Sequence, residues 1–90
     1  MNTFRLIVST PDGNLFDGEA EMLSCRAADG DLAILAGHIP LITSVRPGKC
    51  RITLPDGSEK TGTLDGGILT VAEDAVTLLS AAFRFSSSFS

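Results

Sequence analysis

The side chains able to make or break bonds are few in this chain: two cysteines, Cys25 and Cys50, and a single histidine, His38. A Cys or Ser nucleophile needs a base within hydrogen-bond reach and a third group to orient that base. Cys25 sits between Ser24 and Arg26 in a strand-like segment, while His38 lies in Gly37-His38-Ile39-Pro40, a turn-forming tetrapeptide. No spacing supplies the third member, so the chain is expected to be non-catalytic. Asp29-Gly30-Asp31 starts like a calcium loop but turns apolar from Leu32 to Ile34, where further oxygen ligands belong. Its acids read as solvated turn residues. One histidine and two cysteines cannot complete a zinc set. Gly66-Gly67 lacks the Gly-Lys-Ser/Thr of a phosphate loop and reads as a hairpin hinge. No metal or cofactor is expected, and without a secretory signal the thiols are expected to be free, buried and silent.

The elements that must position these residues are announced by turn chemistry. Pro11-Asp12-Gly13-Asn14, Asp29-Gly30-Asp31, Arg46-Pro47-Gly48-Lys49, Pro55-Asp56-Gly57-Ser58 and Asp65-Gly66-Gly67 are such punctuation. Pro presets φ there, and Gly and Asn supply positive φ. Between them lie nine short segments rich in Val, Ile, Thr and Leu, at residues 3–9, 15–21, 22–28, 32–35, 41–45, 50–54, 59–64, 68–72 and 75–80. Phe4, Leu6 and Val8 alternate with Thr3 and Arg5, and Ile52 and Leu54 with Arg51 and Thr53. Period two with a turn every 8–12 residues predicts an all-β sandwich or barrel. Residues 1–82 are read as one domain, and 83–90, rich in Ser and Phe, as a tail that is frayed or bound to a partner.

A net charge of −4 and a pI near 4.6 argue against polyanionic partners, because the seven basic residues are strewn from Arg5 to Arg84. Neither nucleic-acid binding nor adsorption to anionic lipid is expected. The longest apolar runs fall far short of the roughly 20 residues that span a bilayer, so direct membrane insertion is not expected either. With no Trp or Tyr the core must be aliphatic. One stretch refuses to alternate. From Leu32 to Thr43 the residues are nearly all apolar, broken by Gly37, His38 and Pro40. Such a run is either a crossing between two sheets or an exposed patch that marks a partner surface.

The same stretch carries a resemblance. Asp29-Gly30-Asp31 followed by Leu32-Ala33-Ile34 and by Gly37-His38-Ile39-Pro40-Leu41-Ile42-Thr43 is similar to the pattern of the F-type ATP synthase epsilon family. Thr10-Pro11-Asp12-Gly13, Leu15-Phe16-Asp17-Gly18, Arg46-Pro47-Gly48 and Gly66-Gly67-Ile68-Leu69 fall in the family's order and spacing, covering roughly residues 4 to 80. The resemblance implies a flattened two-sheet sandwich of short, mostly antiparallel strands. It also implies a non-catalytic central-stalk subunit that couples ion translocation to ATP synthesis, peripheral on the cytoplasmic face of the bacterial inner membrane. Thr10, Gly37, His38, Ile39, Pro40 and Thr43 match positions that face the gamma subunit, and Asp29 and Asp31 match the acidic loop toward the membrane proteolipid ring. Ala36 stands where the family has Pro, so a looser turn is expected, and Asp31 is shorter than the family's usual Glu. The family's C-terminal helical hairpin has no counterpart here, and a naturally short form is expected, without the hairpin's inhibitory or nucleotide-sensing role. The competing expectation is a stand-alone interaction module derived from the same sandwich.

Overall fold

Alternation becomes ten strands in the computed structural model, which describes residues 2–28 and 30–86. They are β1 (Phe4–Thr10), β2 (Gly13–Ala20), β3 (Met22–Ala27), β4 (Gly30–Leu35), β5 (Leu41–Val45), β6 (Gly48–Thr53), β7 (Glu59–Leu64), β8 (Gly67–Val71), β9 (Val76–Ser80) and β10 (Phe83–Phe85). The first nine overlap the nine segments expected from the pattern, with ends shifted by up to two residues. None of the described residues is helical.

One hydrogen-bonded path runs β10-β7-β6-β3-β5-β8-β9-β1-β2, with β4 on the other edge of β3. The path folds over at β3. Met22, Leu23 and Ser24 pair with Thr53, Ile52 and Arg51 of β6, whereas Ala27 pairs with Val45 of β5. Two layers result: β4-β3-β6-β7-β10, called layer one, and β5-β8-β9-β1-β2, called layer two. Every ladder is antiparallel except β1 with β9. A mostly antiparallel β-sandwich is what the chain adopts, with extents of 30 × 28 × 25 Å.

A single aliphatic core joins the layers. Leu23, Ile34, Cys50 and Ile52 enter it from layer one, and Leu6, Val8, Leu69 and Leu78 from layer two, all fully buried. Burying one such Leu or Ile stabilises the fold by roughly 1.5–3 kcal/mol. Cys25 and Cys50 are both free and belong to this core. Burial pushes the Cys25 thiol up to about 11, and that of Cys50, beside Cys25 as well, up to about 12.

Local chemistry closes the turns. At Leu54-Pro55-Asp56-Gly57 the Gly57 N–H donates to the Leu54 carbonyl at 2.9 Å. The Asp56 carboxylate accepts from the Ser58 N–H at 2.9 Å and from its hydroxyl at 2.6 Å, which holds that carboxyl below its ordinary range. On the β1–β2 hairpin Arg5 grips Asp17 with two bonds of 3.0 Å.

The segment from residue 83 begins as β10, whose Phe83 and Phe85 pair with Leu64 and Gly62 of β7. Their rings meet edge to face at 4.9 Å, and Lys60 lies 5.6 Å from the Phe85 centroid. Gly62 makes room for this, since a Cβ there would stand 2.6 Å from the Phe83 ring. The rest of the expected tail, residues 87–90, and Asp29 of the expected acidic loop lie outside the described residues.

Two outcomes follow from the core. Truncation of Leu78 or Ile52 to Ala should lower stability by about 2–4 kcal/mol in denaturant melts. An unfolded thiol ionises near pH 8.5 whereas both thiols here stay protonated, so the folded state binds more protons above that pH. Stability should therefore be complete below about pH 8.5 and fall toward pH 11 by roughly 1.4 kcal/mol per pH unit for each thiol. Comparing melts at pH 8 and pH 10 checks this, and replacing both cysteines by Ala should flatten the decline.

Candidate functional site

The unalternating run does two things at once. Ile34 is wholly buried from β4, yet Leu35 is 55% exposed and Ile39 and Ile42 are each 74% exposed. The chain leaves layer one at Leu35, turns, and enters layer two at Leu41. The turn is closed by the His38 N–H donating to the Leu35 carbonyl at 3.1 Å. Gly37 occupies its third position at φ +84°, a conformation that glycine alone adopts without strain. Ala36 takes the second position and the bond still forms. The His38 ring is half-buried, and its Nδ1 lies 2.8 Å from the Ile39 carbonyl. A carbonyl only accepts, so Nδ1 carries the proton.

Beyond the turn, strand register lays out a surface. Ser44 pairs with Ile68, Ile68 with Leu79, and Leu79 with Ser9; one row along, Ile42, Thr70, Thr77 and Ile7 are neighbours in the same way. These residues alternate with the buried Val45, Leu69, Val71, Leu78 and Val8, so they form the outer face of layer two. Among the described residues, Ile42, Ile68 and Leu79 are three of six large exposed hydrophobics, and Leu35 and Ile39 in the adjoining turn are two more. Contiguous apolar surface with a hydroxyl border is the mark of a protein contact.

The candidate residues fall around this face rather than in one spot. Gly37, His38 and Pro40 border a groove shared with Thr3–Arg5 and the β8–β9 turn at Ala72, Glu73, Asp74 and Ala75. Thr10 lies at the far end of β1, about 20 Å away by strand rise. There it borders a depression with Pro11, Ile68 and Leu79, and its hydroxyl accepts from the Asp12 N–H at 3.2 Å. Thr43 pairs with the buried Leu69 and is half-buried, on the opposite side of β5 from Ile42. Asp31 belongs to layer one, on β4 across from Arg26, with 90% of its side chain exposed and 3.8 Å between the charges. The sequence pattern does not single out Ile68 or Leu79. The signal that finds them is their phase, one residue off the buried Leu69 and Leu78.

Acyl-transfer chemistry has no support in this arrangement. Both thiols are held protonated in the core, and a protonated thiol is a poor nucleophile. Among the described residues no three His, Cys, Asp or Glu side chains converge on a metal position.

Known proteins share both the sequence and the shape. Residues 3–85 match the family described as ATP synthase, Delta/Epsilon chain, beta-sandwich domain. An ATP synthase epsilon chain of Bacillus velezensis is 42% identical over 82 residues, which span 91% of this chain and 61% of that one. Among solved structures, a chain of the Euglena gracilis mitochondrial ATP synthase, in a structure of OSCP, F1 and c-ring, superposes with a TM-score of 0.87 at 18% identity, covering 92% of this chain and 53% of that one. A chain of the Tetrahymena thermophila mitochondrial ATP synthase central stalk and c-ring gives 0.74 at 13% identity, covering 91% and 66%. These last two speak to the fold alone. The chain thus spans about three fifths of the curated relative's length.

The turn generates its own check. Nothing lies within 4 Å of a Cβ added at Gly37, so Gly37→Ala should cost only the left-handed backbone, about 1–2 kcal/mol. Gly37→Asn should cost less, and thermal melts of the two variants would show the order.

Proposed function

The chain belongs to the ATP synthase delta/epsilon family through its β-sandwich domain, and from that membership we propose that it is a non-catalytic central-stalk subunit of a rotary F-type ATP synthase. In this reading it grips the gamma subunit, rests on the membrane proteolipid ring, and so couples ion translocation to ATP synthesis. Its place is the cytoplasmic face of a bacterial inner membrane, held there through the complex and not by insertion of its own.

The observation that carries the reading is the apolar outer face of layer two with its adjoining turn. Ile39 and Ile42 leave three quarters of their surface in water, apolar area that burial against a partner would remove. The gamma subunit is assigned to this face. Ile42, Ile68 and Leu79 form its apolar centre, Gly37, His38, Ile39 and Pro40 one end, and Thr10 the other. Thr43 contributes from the β5 edge, since β5 meets β3 only at Val45. A rigid closed turn suits this role, because contacts held in place before binding lose less entropy on association.

Asp31 is assigned to the proteolipid ring, with Asp29 beside it in sequence. An exposed ion pair such as Asp31–Arg26, 3.8 Å apart, contributes roughly 0–1 kcal/mol. The carboxylate therefore exchanges Arg26 for a cation of the ring at little cost.

Calorimetry or co-purification with the cognate gamma subunit tests the assignment. Ile42→Glu or Ile68→Glu should weaken binding about 30-fold or more, the scale of an interface hot spot of about 2 kcal/mol, while the melting temperature stays near that of the parent. His38→Ala and Pro40→Ala should weaken binding less. Failure of the parent chain to bind gamma would overturn the reading.

A further inference from the structure

Layer one has an outer face of the opposite character. Four of the seven basic residues that look scattered in sequence are gathered there by strand pairing. Arg84 of β10 pairs with Thr63 of β7, and Thr63 pairs with Lys49 of β6, so two cations flank one hydroxyl in a single cross-strand row. Arg51 follows on β6, between Thr61 of β7 and Ser24 of β3. Arg26 lies two residues past Ser24, level with Lys49 across the point where β3 and β6 part. Ser24, Arg26, Lys49, Arg51 and Thr61 border one shallow depression. All four cations are exposed.

Among the described residues two carboxylates share this face, each held loosely. Asp31 is 3.8 Å from Arg26 and Glu59 is 3.7 Å from Arg51, with at least 49% of every one of these side chains exposed. Among the described residues no carboxylate lies within ion-pair distance of Lys49 or Arg84. The face therefore carries a positive excess on a chain whose net charge is −4.

We propose that the outer face of the β4-β3-β6-β7-β10 layer is a second docking surface, which takes an acidic, extended segment of a partner protein. Spacing and charge pattern select that occupant. Lys49 and Arg51 stand two residues apart on one strand, roughly 7 Å, the repeat at which an extended peptide presents alternate side chains. Arg84 and Lys49 stand two strands apart, roughly 10 Å. A peptide with acids at alternate positions can meet Lys49 and Arg51 together and leave Asp31 and Glu59 facing neutral or basic positions. A nucleic acid or an anionic bilayer presents negative charge without such gaps. It would press phosphates against Asp31 and Glu59 and against the remaining acidic surface of the chain. Hydroxyls of Ser24, Thr61 and Thr63 between the cations add donors for the same carboxylates. This surface does not depend on the gamma contact assigned to the outer face of layer two; it adjoins Asp31, assigned above to the ring, and is centred instead on Lys49, Arg51 and Arg84.

The test uses the full chain, a fluorescein-labelled ten-residue peptide with Glu at alternate positions, and its Gln counterpart. Anisotropy should show binding of the Glu peptide that weakens steeply between 50 and 300 mM salt and is absent with Gln. Amide shifts in NMR should centre on Arg26, Lys49, Arg51 and Arg84. The double variant Lys49→Glu, Arg84→Glu should lose at least tenfold in affinity, and Leu15→Glu, on β2 of layer two, should not. If the charge reversal fails to fold, Lys49→Gln with Arg84→Gln should show the same loss in a folded chain. The proposal is overturned by no binding of the Glu peptide, by shifts confined to layer two, or by an unchanged affinity of the folded double variant. Tighter binding to phosphatidylglycerol vesicles or to an oligonucleotide than to the peptide would overturn it too, as would self-association through this face in sedimentation.

Discussion

Everything in this molecule hangs on β3 having two partners on one edge. Its first half bonds to β6 and its last residue, Ala27, to Val45 of β5. Because adjacent sheets packed face to face bury both inner surfaces, this division of one strand turns a continuous ladder into a sandwich. It also decides where the chain must cross. β4 is bound to β3 in layer one, and β5 opens layer two. The link between them, Ala36 to Pro40, has to bridge the layers in five residues. Tight geometry at Gly37 and exposure at Ile39 are results of that bridging. The apolar turn is thus a consequence of topology before it is a feature of any interface.

The two outer faces differ because the same alternation is filled differently. In layer two the outward positions of β5, β8 and β9 hold Ile42, Ile68 and Leu79 among Ser and Thr. In layer one the outward positions of β3, β6 and β10 hold Arg26, Lys49, Arg51 and Arg84. A two-layer sandwich cannot hide either outer face, since each strand has only one inward side to give to the core. Chemistry on the outside is then free to vary while the inside stays aliphatic. Stability and recognition are separated residue by residue along every strand.

Much of this was legible in the sequence. Nine strands could be placed because Pro-Asp-Gly and Gly-Gly turns set their ends and β-branched residues filled them. β10 could not, because Phe83-Arg84-Phe85 followed by serines has the composition of a tail; its docking depends on Gly62, a residue 21 positions earlier. Thr43 shows a different limit. Within a run that is apolar on both faces, alternation loses its phase, and only pairing with Leu69 reveals that Thr43 faces away from Ile42. The gathering of basic residues was invisible for a third reason. Separation along the chain says nothing about neighbours across strands, so Lys49 and Arg84 look remote although Thr63 links them.

The lone parallel ladder has a consequence for how the chain acquires its shape. β1 is made long before β9, yet Leu6 to Ser9 lie beside Val76 to Leu79. During synthesis β1 can pair with β2 at once, but its other edge waits for some seventy residues before its neighbour exists. Long-range pairing of this kind closes slowly, because the loop entropy is lost before the contact forms. The β1–β2 hairpin therefore keeps an unfinished edge until β9 has been made.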